Sequence, residues 1–136
     1  MSNEGNYRIP MHRGGRLVTL DDILQVVNGT RVVWHLMDIE AISMRDSGLD
    51  VLQLEREVQH APGGKVFTDR DLRASARQLD QVIKCKILGV IEGLSFDVGS
   101  AVVVEILALD STEWVLWTDQ IHDDRIDVGS PLFEEL

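Results

Sequence analysis

Residues Ala101 to Thr118 read AVVVEILAL, then DST, then EWVLWT, and the reading of this stretch decides the fold. Both flanking runs have strand length and are rich in Val, Ile, Leu and Trp, whose branched or aromatic side chains pack well on a pleated surface. The short polar link Asp110-Ser111-Thr112 suits a hairpin. Just upstream, Cys85 to Glu92 is a further apolar run, and Phe96-Asp97-Val98-Gly99-Ser100 carries the turn residues for another connection. Together these segments predict an antiparallel meander.

Before this meander the apolar spacing becomes helical. Thr68 with Asp71 has the capping-box spacing, and Leu72, Ala76, Leu79 and Ile83 then fall on one helical face with Arg70, Arg73 and Arg77 on the others. Leu49 to Gln59 gives a second helical pattern, ended by Ala61-Pro62-Gly63-Gly64. Thr19 with Asp22 caps a short first helix that carries Leu20, Ile23, Leu24 and Val27 and stops at Asn28-Gly29. Between the first two helices, Arg31 to Ala41 is rich in strand formers and apolar on both parities at first, which reads as a well-buried strand. Helices early and strands late predict an α+β fold, an antiparallel sheet of about four strands with about three helices packed on one face. Residues 1–16, with Pro10, Gly14, Gly15 and little periodicity, are expected to form a poorly ordered arm, and 17–136 a single domain.

Composition narrows the function classes. The longest apolar block, Ala101 to Leu109, is interrupted by Glu105 and falls far short of the roughly 18 residues that span a bilayer, so no membrane association is expected. The polar start Met1 to Asn6 shows no secretory pattern, which points to a cytoplasmic protein. A single cysteine, Cys85, excludes an internal disulfide and a multi-cysteine zinc site. The net charge of −10 is uneven: Met1 to Ile91 holds 12 acidic and 12 basic residues, whereas Glu92 to Leu136 holds 11 acidic residues and one basic residue, Arg125. Such a field repels nucleic-acid phosphates and attracts basic surfaces, so the expected partner is a basic protein and not a nucleic acid.

The sequence has no Walker loop, dinucleotide glycine fingerprint, histidine pair on a helix or serine elbow. No catalytic residue, metal site or cofactor is therefore expected. Lys84 and Lys86 flank Cys85 and could lower its pKa, but its place ahead of Ile87 and Leu88 suits a small core residue better. His35 shares the parity of Val33 and Met37 and reads as buried or interfacial. Asp38 and Glu40 share one strand face two residues apart, an acid and base pair if the chain were a small enzyme or ligand-binding domain. Asp119, His122, Asp123, Asp124 and Asp127 hold metal-type donors without the alternation, glycine and terminal glutamate of a calcium loop, and read as a contact site for a basic protein. Trp114 and Trp117 point to opposite strand faces, so one belongs to the core and the other, nearer the surface, can anchor an interface.

A small, strongly acidic α+β chain of this kind resembles the bacterial immunity proteins that protect a cell from its own contact-dependent or polymorphic toxin. The likeness is one of the whole domain and rests on Asp38, Glu40 and the acidic C-terminal stretch with its tryptophans. It implies a non-enzymatic inhibitor that occludes a cognate basic toxin domain. Its partner-binding residues would be Asp38, Glu40, Glu113, Trp117, Asp119, His122, Asp123, Asp124 and Asp127. Charge would steer association and aromatic burial would slow release. The residues also fit a self-associating or adaptor domain, because sheet edges and exposed tryptophans serve a homodimer equally well.

Overall fold

A computed structural model describes residues 7–94, 101–118 and 124–133. Along the chain the elements are β1 (Tyr7–Pro10), β2 (His12–Arg13), β3 (Arg16–Leu17), α1 (Leu20–Gln25), β4 (Val32–Ser43) and α2 (Val51–Gln59). They continue with β5 (Lys65–Thr68), α3 (Asp69–Ala76), β6 (Leu79–Ile91), β7 (Val102–Leu109), β8 (Glu113–Thr118) and a 3-10 turn at Pro131–Phe133. The fold is α+β with an antiparallel sheet and three helices. The sheet has six strands, in the order β1-β8-β7-β6-β4-β5, where the sequence predicts about four.

The two added strands are the edges, and both are short. β1 comes from the segment expected to be a loose arm, yet Ile9 and Met11 are fully buried and Ile9 pairs with Trp114 of β8. Its pairing partner lies over a hundred residues away in the sequence, so nothing local announces it. The arm does not stop there: β2 and β3 form a small hairpin around Gly14 and Gly15, whose φ of 56° and 79° match the left-handed backbone that a two-residue loop demands. Residues 1–6 of the expected arm lie outside the described residues. β5 buries only Phe67, and four residues with one apolar anchor give no readable period.

Local chemistry explains the helices. Thr19 and Asp22 form the expected capping box at α1, Asp50 caps α2 through the Gln53 amide, and Thr68 caps α3 through the Asp71 amide. α3 nevertheless ends at Ala76, with Arg77 as its cap, and Leu79 and Ile83 belong to β6 instead of the helical face predicted for them. The cause is tertiary. β6 pairs with β4 from Leu79 opposite Ser43 to Ile91 opposite Val32, and a ladder of that length outweighs a helical spacing of apolar residues. Three register shifts in this ladder break strict alternation, which is why the period-two pattern is blurred in the sequence.

All three helices pack on one side of the sheet. Leu20, Ile23 and Leu24 of α1, Val51, Leu54 and Val58 of α2, and Leu72 and Ala76 of α3 share one core with the inward side chains of the strands. At its centre Trp34 lies over its cross-strand neighbour Gly89; a Cβ there would approach the indole to 2.9 Å and Val32 to 3.1 Å. Gly89 is thus a packing glycine. A polar clamp ties the helical layer together. Asp69 accepts from Trp34 Nε1 at 3.0 Å and from Arg73 Nε at 3.0 Å. Arg73 donates onward at 2.6 Å to the Leu24 carbonyl, which also accepts from the Val27 amide, and at 2.7 Å to the Val27 carbonyl just past α1.

Candidate functional site

Strands that bury Trp34, Ile87, Ile106 and Leu116 beneath the helices must turn the intervening side chains to the other face of the sheet. Register places Arg8, Val115, Leu107, Lys86 and Asp38 in one row across that second face, from β1 to β4. In the next row Glu113 faces Leu109 on β7, and Glu40 faces Lys84 on β6. Two ion pairs mark this half of the face, Arg8 with Glu113 and Lys84 Nζ with Asp38 Oδ2 at 3.6 Å. The side chains of Lys84 and Asp38 are 48% and 51% exposed, so their pairing contributes little to folding, about 0.2–1 kcal/mol for such a pair.

The other half of the same face is apolar. Leu88, Val90 and Ala101 form a second buried cluster, with Met37 and Val102 packed against it. Trp117 is half-buried here, in a row with Glu105, Leu88 and His35. His35 Nδ1 donates to the Gly63 carbonyl at 3.0 Å, which orients the half-buried ring. The two tryptophans divide as alternation demands: Trp114 is fully buried and donates to the Val18 carbonyl at 3.0 Å, and Trp117 lies on the face away from the helices.

The acidic C-terminal residues lie elsewhere. Ile126 is buried in the main core and bridges Val27 just beyond α1, so the flanking Asp124 and Asp127 sit exposed beside the helical layer. Asp127 accepts from the Gly129 amide at 3.1 Å, and neither aspartate makes an ion pair among the described residues. Arg125, between them, donates from Nη1 to the Asn28 and Thr30 carbonyls, both at 2.9 Å. Its cationic head is held against the main chain of the α1–β4 connection. A groove of about 510 Å³ runs between Gln25–Asn28 and Asp124–Gly129.

The nine residues singled out in the sequence therefore do not form one constellation. Asp38 and Glu40 stand on β4; Glu113 and Trp117 stand on β8, three strands and about 14 Å away at ordinary strand spacing. Asp124 and Asp127 belong to the helical side, and Asp119, His122 and Asp123 lie outside the described residues. Sequence reading took Lys84 and Lys86 only as neighbours of Cys85 and missed that they share the i, i+2 spacing of Asp38 and Glu40 and meet them across the ladder. Matching spacings of opposite charge on two candidate strands were the available signal. Cys85 between those lysines points inward, and burial pushes its thiol up to about 12, which leaves it protonated and unreactive at neutral pH.

Among the described residues no group of three or more His, Cys, Asp or Glu side chains gathers as a metal would require, and no helix is long and apolar enough to cross a membrane. No protein-family model matches the chain, and neither does a curated protein or a solved structure. Fold and surface together define a class by architecture: an α+β domain with one sheet face sealed by helices and the other carrying paired charges beside an apolar cluster.

Proposed function

We propose that the chain is a non-enzymatic protein-binding domain, an immunity-type inhibitor of a cationic toxin domain, and that the acidic end beside α1 is where the partner docks. The supporting observation is the treatment of charge there. Arg125, the one basic residue after Ile91, is drawn onto the Asn28 and Thr30 carbonyls, while Asp124 and Asp127 remain exposed on the rim of the groove without ion partners among the described residues. Carboxylates presented this way attract lysine and arginine side chains of a basic surface, and the acidic excess of the chain adds long-range steering. Asp38 and Glu113 already face cations of their own chain, so they contribute less to such an encounter.

The test begins with the gene neighbourhood: a basic toxin domain found encoded there is co-expressed with this chain, and a neighbourhood without one counts against the reading. Protection of growth, co-elution of the purified pair, and association that slows steeply with ionic strength are expected. The variant D124K/D127K should slow association by about ten- to a hundredfold with a smaller change in dissociation. Absence of both protection and complex overturns the reading.

A further inference from the structure

We infer that the charged half of the sheet face away from the helices is a self-association surface, and that its occupant is a second copy of this chain. The argument begins with charge balance. The chain carries a net charge of −10, so two copies repel one another over most orientations. In the two rows that run from Arg8 to Asp38 and from Glu113 to Glu40, however, Arg8, Lys84 and Lys86 offset Asp38, Glu40 and Glu113. A strongly basic partner gains no net attraction from a balanced surface. A second copy can approach here with the least repulsion.

Arrangement then favours a copy over a generic partner. The cations Lys84 and Lys86 form a stripe on β6, and the anions Asp38 and Glu40 form a parallel stripe on the adjacent β4. A two-fold axis lying between the two sheets and running along the β4–β6 boundary lays Lys86 of one copy over Asp38 of the other, and Lys84 over Glu40. The same contacts recur on the far side of the axis, which is the self-complementarity an isologous dimer requires. Ile42 and Leu109, 48% and 37% exposed, flank the stripes on this face and supply apolar contact at its rim. The short edge strands, with Pro10 at the end of β1, are poor templates for edge-to-edge pairing, so the face and not the edge carries the contact.

Sedimentation equilibrium of the full chain tests this without any toxin present. The wild-type chain should form a dimer whose population rises with concentration. Each of the variants K84E/K86E and D38K/E40K presents stripes of a single sign, and each alone should dimerise more than about 100-fold more weakly, as like charges in contact cost several kcal/mol. An equimolar mixture of the two variants restores every opposite-charge contact and should dimerise again. A wild-type chain that stays monomeric, variants that dimerise as tightly as wild type, or a mixture of the two variants that fails to dimerise overturns the inference. The outcome is separable from the toxin reading, because D124K/D127K leaves this face intact and should dimerise at least as well as wild type.

Discussion

On the helix-covered side of the β4–β6 ladder, Trp34 lies over Gly89 with no room for a methyl group between them. On the opposite side, a few residues along the same strands, Asp38 and Glu40 stand across from Lys86 and Lys84 with much of their surface in water. The two faces are built by alternate residues of one ladder under different demands. The covered face is held by shape and by desolvated hydrogen bonds, so almost any change there costs folding free energy. The charged face contributes little to folding and is therefore free to carry recognition.

The largest effects should come from the covered side. Trp34→Ala removes the central ring and orphans the Asp69 carboxylate from its indole donor, and should cost about 3–5 kcal/mol, read as a lower urea midpoint. Arg73→Ala uncaps α1 and leaves Asp69 without its cation; because both side chains are partly exposed the loss should be smaller, about 2–3 kcal/mol, in thermal unfolding. Arg73→Lys should recover little of it, since an ammonium cannot bind the Asp69 carboxylate and two separated carbonyls with the same planar fork.

Cys85 probes the same face by chemistry. Burial pushes its folded pKa up from the ordinary thiol value of 9.0 to about 12, so the native state keeps a proton that the unfolded chain releases. Stability from this group is therefore complete below pH 9 and is lost as the pH climbs from 9 towards 12. At pH 8 the native thiol should react with iodoacetamide on the order of 1,000-fold more slowly than in denaturant. Fast native labelling would mean that the covered face opens readily and would blur the contrast between the two sides.

On the charged face, Lys84→Ala should change stability by less than about 1 kcal/mol while weakening self-association. A loss as large as that of Arg73→Ala would break the comparison, for the ion pairs would then belong to the folding core. The smallest expected change is a gain. Asp110, exposed in the β7–β8 turn at φ 44°, should stabilise the fold by about 0.5 kcal/mol when replaced by glycine, measured as a small rise in Tm.

Signals confined to a few neighbouring residues were legible in advance. The capping pairs Thr19 with Asp22 and Thr68 with Asp71, the Asp110–Thr112 hairpin and the opposed directions of Trp114 and Trp117 all follow from bonding or alternation within one turn of chain. The edge strands β1 and β5 were not legible, because four residues carry too little period and their partners are remote. The helical reading of Leu79 and Ile83 failed for a related reason, since their spacing satisfies a helix until the competing ladder with β4 is known.

The candidate site divides in the same way. From the sequence alone come the α+β class, the inward Cys85, the acidic excess after Ile91 and the residues that carry it. Only the folded chain decides that Lys84 and Lys86 lie opposite Asp38 and Glu40, that Arg8 meets Glu113, and that Arg125 turns onto backbone carbonyls while its neighbouring aspartates do not. Composition counts charges, whereas Coulomb energy depends on the distance between them, and that distance is set by strand register between residues tens of positions apart.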